Sequence, residues 1–532
     1  MTSPSPAAHH GGPSGSWATR DFSASLTAFL DQKLTAYVLA PTIALFLWLL
    51  VTYHTSPLKR FPGPFLARYT NLYRVWKVYK GDFARTVQKL HEKYGPVVRL
   101  GPNMLDIDIP ELCRVIYGTD GWAKSNMYQI NTPMVNGQIL HNMFSQPDPG
   151  LHMKARRPVV RHFSVSAVQA LEPQIDLAVT EFLNTLQRRF VDTEKSVDIV
   201  DWLSYFAWDF MGMATMSSKY GFMEKGGDID NVLANNVGLE TYFAHASQMP
   251  WVDWLLDKNP IVHLGPAGVP TIVRFAGEKM AARAMGQDKN YNPERPDFMQ
   301  YFMESKKTHP DLVDDGAVVG YMLLNLIAGA DTVATILHGL FYYILKNPAM
   351  HARLRDEVRA AFQPFQVAPY SQARALPYLD AVVRETLRYH PPICFALERV
   401  VPATGLPLPD GSVVPGGQIV GINAWVVQRN KGVYGEDADE FKPERWLQRE
   451  GEGDEEYKER MRKWSEAMLV FGGGSRICLG RHLGLMEIYK AVASVFATFD
   501  IELENPEKDW WIQLRWFARS KGVICKLRPR GK

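Results

Sequence analysis

Cysteine is scarce in this chain: Cys113, Cys394, Cys478 and Cys525 are the whole complement among 532 residues. They lie far apart and form no CxxC pair. This excludes a disulfide framework and a structural zinc site, and it favours a reducing, cytosol-facing environment. Charge of one sign is lacking too. The formal net charge is +3 with no block of Lys and Arg, so no nucleic-acid partner is indicated. From about Phe65 onward there is no second linker, no repeat and no low-complexity tract. No flavin or nicotinamide fingerprint occurs either. What is there is a globular composition, 46% hydrophobic and 12% aromatic. Length alone allows two or three domains, but the missing break argues for one large domain.

One uncharged run stands out. Leu34–Tyr53 reads LTAYVLAPTIALFLWLLVTY, and about twenty helical residues span a hydrocarbon core of ~30 Å. The run is too long and too far from Met1 for a cleaved signal peptide, and it has no small-residue cleavage pattern. It has no polar face, as a buried core helix would. Lipid tolerates Pro41, while Tyr37, Trp48 and Tyr53 suit the interfaces. Lys59, Arg60 and Arg68 follow the run, so the positive-inside rule puts the body of the protein in the cytosol and the N-terminus in the lumen. Residues 1–33, rich in Ser, Pro, Gly and Ala, are expected to be disordered. Residues 54–68 include Pro57-Leu58-Lys59-Arg60-Phe61-Pro62-Gly63-Pro64, a stiff hinge. Residues 69–532 are expected to form the one large domain.

That domain reads as mainly α with small β-sheets. Helical periodicity marks Phe83–Tyr94, Ala167–Phe190, Gly316–Leu345, Met350–Phe362, Tyr378–Tyr389 and Leu479–Phe499. Val97–Leu100 and Gln418–Ile422 read as strands, the latter after a Pro415-Gly416-Gly417 turn. Arg449–Lys463 reads as a solvated loop or helix.

The strongest local signal is Phe471-Gly472-Gly473-Gly474-Ser475-Arg476-Ile477-Cys478-Leu479-Gly480. Three glycines permit positive φ and close backbone approach. The cysteine follows at the mouth of an apolar helix, whose unpaired N–H groups and dipole favour a thiolate. A lone cysteine in such a turn is more often structural. The whole pattern is more restrictive: it resembles the haem-binding signature of the cytochrome P-450 superfamily, FxxGxRxCxG, with every defined position filled. The resemblance implies haem b held by Cys478 as thiolate iron ligand, with Arg476 on a haem propionate. Gly484 stands where the family often has alanine.

Further motifs extend the resemblance along the chain. Glu385-Thr386-Leu387-Arg388 matches ExxR, whose spacing puts acid and base on one helical face. Read alone, it is an ordinary surface pair. In the family the pair is buried and joined by an arginine from a later loop; Phe441-Lys442-Pro443-Glu444-Arg445-Trp446 supplies Arg445, in a structural role. Ala328-Gly329-Ala330-Asp331-Thr332 resembles the oxygen-activation motif. A Thr there can simply bond to the preceding turn; the resemblance implies that Thr332 handles bound oxygen while Asp331 relays protons. Val333 replaces the usual Thr or Ser. His152-Met153-Lys154-Ala155-Arg156 resembles an aromatic-xxx-Arg segment with His in place of Trp. It implies that His152 and Arg156 meet the propionates, as does Arg399.

The implied fold is the cytochrome P-450 fold behind an N-terminal transmembrane helix, single-pass in the endoplasmic reticulum membrane. The implied activity is a haem-thiolate monooxygenase that inserts one atom of O2 into a small apolar molecule. Electrons would come from NADPH through a separate flavoprotein reductase, with Arg481 and Lys490 as candidate docking contacts. By family geometry, Met127, Tyr128, Met134, Met143, Leu324, Ile327, Phe395 and Trp516 would line the substrate pocket. FPGPFLARYTNLYR and KYGPVVRLGPN resemble the fungal pisatin-demethylase-like group, which implies secondary metabolism or detoxification of aromatic compounds. Two other readings stand beside this one: a haem-thiolate isomerase or dehydratase working without a reductase, and a non-catalytic haem-binding membrane protein. Retention of Asp331 and Thr332 argues against both.

Overall fold

The computed structural model describes residues 18–531 apart from 120, 133, 136, 137, 140, 260, 262, 263 and 267–269, and side chains from Tyr37 onward apart from 133–140. Met134, expected in the pocket, therefore lies outside the described side chains, and residues 1–17 of the expected disordered tail lie outside the described residues. The chain divides into two units, Met1–Lys59 and Arg60–Lys532.

The first unit is one helix, Ala18–Thr55. It begins well ahead of Leu34, so helical backbone runs through residues 18–33. The part from Tyr37 to Thr55 is long and apolar enough to cross a membrane, and none of it is buried.

The second unit is built on the helix Asp315–Leu345, which we call the central helix. Asp314 caps it, its carboxylate accepting from the Ala317 N–H at 2.7 Å. This helix is also apolar enough to cross a membrane. Its apolar positions Met322, Leu326, Leu337, Phe341 and Ile344 have no exposed surface, which makes it the core of a folded domain. It packs along the helix Ile199–Met216, whose Trp208 is fully buried.

Most expected helices are found within two residues: Phe83–Tyr94, Pro348–Ala361, Pro377–Tyr389 and Arg481–Thr498. Ala167–Phe190 is not one helix. It splits into Val165–Gln169 and Glu172–Leu186, followed by a wider turn over Gln187–Val191. Pro173 explains the break, since a prolyl nitrogen has no N–H to continue the first segment and suits the first turn of the second. The charged stretch after Arg449 becomes the helix Asp454–Ala467. It is not wholly solvated, because Trp464 is buried edge-on against Trp446, ring centroids 5.2 Å apart.

The sheets are small. Val97–Gly101 pairs antiparallel with Met104–Ile107, which pairs in parallel with Ile419–Gly421, and Arg399–Val400 closes this sheet against Ile419–Gly421. A C-terminal hairpin joins Trp511–Leu514 to Ala518–Lys521.

The motif Glu385-x-x-Arg388 lies in the interior. Both side chains have no exposed surface, which rules out an ordinary surface pair. The Glu385 carboxylate accepts five hydrogen bonds: two from Arg388 at 2.7 and 2.8 Å, one from Arg445 at 3.0 Å, and one each from the Lys442 N–H and Trp446 Nε1 at 2.8 Å. Arg388 spends its other donors on the carbonyls of Gln428, Ala438 and Glu440. Removing one partner from so enclosed a set costs about 3–5 kcal/mol, because the remaining charge is left buried.

Two buried histidines carry a pH dependence. Burial pushes His338 and His390 down to about 3. For His390 the cations Arg429 and Arg85 act in the same direction, and its Nε2 has no hydrogen-bond partner. Both are therefore neutral when folded, whereas the unfolded chain takes up protons near pH 6.5. The stability they contribute is present above that value and is lost as pH falls towards 3. Thermal melts between about pH 7 and pH 5 should show a falling Tm, and His390→Gln should flatten that slope. An unchanged slope in the variant would remove His390 from the account.

Candidate functional site

Tyr117 shapes the loop before Cys478. Its hydroxyl donates to the Leu397 carbonyl at 2.8 Å and accepts from the Ile422 N–H at 2.7 Å, fixing the ring and its backbone against the small sheet. The glycines of the loop lie over that backbone. Gly472 and Gly474 have φ of +68° and +54°, and a Cβ on Gly474 would sit 2.0 Å from the Tyr117 carbonyl oxygen. Only glycine fits there. From the other side Gln428 ties the loop to the buried network. It donates to the Leu387 and Arg388 carbonyls at 3.0 and 2.8 Å and accepts from the Leu469 N–H at 2.8 Å. The loop closes with the Cys478 N–H on the Phe471 carbonyl at 2.8 Å.

Cys478 opens into a cavity of about 210 Å³ between this loop and the central helix. Burial pushes its thiol up; the backbone N–H of Gly480 and the charges of Arg481 and Arg156 pull the other way. Cations gather at the same cavity. Lys124, His152, Arg156 and Arg476 line it, and Arg399 faces Lys124 across an isolated β-bridge. Burial and the neighbouring cations Arg476, Lys124, Arg156 and Arg399 push His152 down to about 3, so it is neutral at pH 7. Burial and Arg399 lower Arg476 to about 10. Arg476 gives its two terminal nitrogens to the Gln146 and Pro147 carbonyls at 2.7 and 2.9 Å, while its Nε is buried without a partner. Arg156 donates to the Ile477 carbonyl at 3.0 Å, beside the cysteine. So Arg476 and Arg156 first brace the loop.

This site fits a haem. Like charges converging on a buried cavity need an anionic partner, and two propionates supply one. The sulfur faces the cavity from a glycine cradle. Among the described residues no group of three or more His, Cys, Asp or Glu could hold a metal ion unaided. Iron would therefore arrive inside a ligand of its own, with one protein atom bound to it. The sequence of the whole domain agrees. The family model described as Cytochrome P450 matches residues 62–523. The chain belongs to the cytochrome P450 family. Family membership brings a haem-thiolate cofactor and the use of O2, and makes the protein an oxidoreductase of the monooxygenase class. The cytochrome P450 monooxygenase cfoH of Aspergillus candidus is 38% identical over 493 residues, 92% of this chain and 91% of that one. The monooxygenase cicH of Emericella nidulans is 36% identical over 478 residues, 89% and 94% of the two chains.

In this P450 the oxygen-activation motif is arranged less simply than its residue types imply. Ala328, Gly329 and Val333 line the cavity, whereas Asp331 and Thr332 are not among its lining residues. The Thr332 hydroxyl donates to the Ala328 carbonyl at 2.6 Å, the backbone bond such residues often make. Asp331 points elsewhere. It accepts from Trp208 Nε1 at 2.8 Å, from Asn236 Nδ2 at 2.6 Å and from Arg519 at 3.2 Å. Two of the three departures from the family pattern are neighbours, since a Cβ on Gly484 would meet Val333 Cγ2 at 3.2 Å. The glycine makes room for the valine.

The pocket expectation is partly corrected. Met143 and Leu324 line the cavity. Met127, Tyr128, Phe395 and Trp516 instead belong to a buried apolar cluster, and Ile327 packs against the core. Lys490 is also corrected: its side chain has no exposed surface and bonds Glu172, Asp176 and the Ala368 carbonyl, so it cannot dock a reductase. Arg481 is partly exposed. Sequence reasoning missed Lys124, Tyr117 and Gln428, which carry no motif. It also missed Glu487, which lines the cavity with both carboxylate oxygens unpartnered; burial holds its carboxyl well above the ordinary range.

The glycine geometry makes a prediction. Gly474→Ala meets both a left-handed backbone, costing about 1–2 kcal/mol, and the Tyr117 carbonyl. The purified full-length variant should lose most of its haem, read as haem absorbance per protein. Gly227→Ala, where an added Cβ meets nothing within 4 Å, should retain it. Normal haem content in Gly474→Ala would contradict the cradle.

Proposed function

We propose that this P450 is a membrane-anchored monooxygenase that oxidises a small apolar molecule, drawing electrons from NADPH through a separate flavoprotein reductase. One observation carries the reading: a single cavity has the Cys478 sulfur at one wall, the central helix at another, and an apolar lining that includes Met143, Phe144, Phe163, Met211 and Leu324. When bound, haem supplies the activation of O2 and the transfer of one oxygen atom. Cys478 holds it, with the Gly480 N–H directed at the sulfur to keep its charge from spreading. Arg476, through its Nε, together with Lys124, Arg399 and Arg156, would hold the propionates. His152, neutral, would add a hydrogen bond without adding charge. The apolar lining orients substrate and excludes water.

Thr332 and Asp331 manage protons. With its own proton on the Ala328 carbonyl, the Thr332 hydroxyl has a lone pair left to accept a hydrogen bond. It donates only by turning away from Ala328. Asp331 delivers protons from its far side once the clasp of Trp208, Asn236 and Arg519 loosens. The segment Tyr37–Thr55 anchors the chain in the endoplasmic reticulum membrane, residues 54–68 form the hinge, and the domain faces the cytosol, as Lys59, Arg60 and Arg68 favour. The fungal relatives and the sequence resemblance to pisatin-demethylase-like enzymes support a place in secondary metabolism or in the detoxification of aromatic compounds.

The reduced, carbon-monoxide-bound full-length protein should show the far-red-shifted Soret band of thiolate ligation. Cys478→Ala should abolish it. Thr332→Ala should keep it while product formed per NADPH consumed falls by about tenfold or more. Oxidation that proceeds equally well without NADPH and reductase would overturn the reading.

A further inference from the structure

Asp331 is held by a second acid. The helix Val232–Ala246 lies over the central helix and presents Asn236, Glu240 and Phe243 on one face, at the i, i+4, i+7 spacing of a helical stripe. Asn236 Nδ2 bridges the two acids, donating to Glu240 Oε1 at 3.1 Å and to Asp331 Oδ2 at 2.6 Å. Arg519, from the C-terminal hairpin, donates through Nε to Glu240 Oε2 at 3.0 Å and through a terminal nitrogen to Asp331 at 3.2 Å. Glu240 and Asp331 are thus tied to each other through both Asn236 and Arg519. Two carboxylates therefore share one guanidinium.

The other faces are closed. Trp208 covers Asp331 from the helix Ile199–Met216. His338, one to two turns further along the central helix, is held between Ser204 and Ser520 and is neutral. Two like charges in so enclosed a place cannot both persist against one cation, so one carboxyl keeps a proton. Burial and the charge of Asp331 hold the Glu240 carboxyl well above its ordinary value, which identifies the acid that keeps it.

The third residue of the stripe lies behind the cavity wall. Phe243 packs edge-on against Trp516 at 4.7 Å and lies 6.5 Å from Phe144, which lines the cavity wall. A movement of this helix on filling the cavity would therefore shift Glu240 and Asn236 as well.

We propose that Glu240 is a positioning residue and the proton store for Asp331, clasped by Arg519 and linked through Phe243 to occupancy of the cavity. The inference rests on the proposed role of Asp331 and Thr332. The step balances without electron transfer. The Glu240 O–H bond breaks as an O–H bond forms on the Asp331 carboxylate; Asp331 passes that proton towards Thr332; the Glu240 carboxylate, paired with Arg519, regains a proton from water. Arg519 is about a third exposed, at 32%, whereas Glu240 and Asp331 are 12% and 14% exposed. The guanidinium thus marks the solvent edge where water can return the proton.

The test uses the full-length haem-loaded chain. Infrared difference spectra in H2O and D2O should show a neutral carboxylic-acid C=O band that is absent from Glu240→Gln and retained, shifted, in Glu240→Asp. Persistence of the full band in Glu240→Gln would overturn the proposal. In parallel, peroxide released per NADPH consumed is measured with an NADPH-dependent flavoprotein reductase and no added substrate. Glu240→Gln should alter that ratio by about threefold to tenfold, with an unchanged carbon-monoxide band and partial rescue in Glu240→Asp. If Asp331→Asn and Thr332→Ala alter the ratio and Glu240→Gln does not, Glu240 has no part in proton supply. If neither Asp331→Asn nor Thr332→Ala alters it, the proton role of that pair fails, and this inference fails with it. Loss of the carbon-monoxide band in both Glu240 variants would mean that Glu240 is needed for the fold instead.

Discussion

A charge with no exposed surface has to be fully coordinated, and around the Glu385 carboxylate that requirement organises much of the domain. Its five donors come from the helix Pro377–Tyr389 and from the segment Lys442–Trp446. Leaving any one group alone in this interior costs several kcal/mol, so the segments are held to one arrangement. Arg388 passes the constraint to Gln428, and Gln428 passes it to Leu469 at the root of the cysteine loop. Tyr117 fixes the other side of that loop. The sulfur is thus positioned largely by hydrogen bonds that lie outside the cavity, with Arg156 and Arg476 bracing the loop from the cavity side.

Electrostatics then divides the cavity wall. Arg476, Arg156, Arg399, Lys124 and the uncharged His152 gather near the loop, while Leu324, Ala328, Gly329 and Val333 give the central helix an apolar face. A cofactor with two carboxylates on one edge and a wide apolar ring suits this division. Asp331 lies further out, off the cavity wall, surrounded by donors from three other elements.

Sequence patterns made the main helices, the membrane-length run and the cysteine loop legible, because each depends on local spacing. The helix Phe83–Tyr94 has the bounds its periodicity gives. The split at Pro173 was missed because apolar spacing continued across it. Lys490 misled for a different reason. Its charge alone suggests a docking contact, yet its partners, Glu172 and Asp176, lie more than three hundred residues away and bury it. The same holds for Asp331, whose partners Trp208, Asn236 and Arg519 stand in no sequence relation to it. Motifs named the chemistry-bearing residue types; long-range packing decided which of them face the cavity. Lys124 shows the converse: it belongs to no motif, yet it lines the cavity and bridges to Arg399.

The central claim is that Cys478 alone among the protein's side chains binds iron through sulfur, in a loop held from behind by the Glu385 network. X-ray absorption at the iron edge of the ferric full-length protein tests this most directly. The account predicts one sulfur neighbour of iron in the native chain, replaced by a lighter atom in Cys478→Ser, with Cys113→Ser, Cys394→Ser and Cys525→Ser unchanged. Iron coordinated by nitrogen and oxygen alone in the native chain would contradict it.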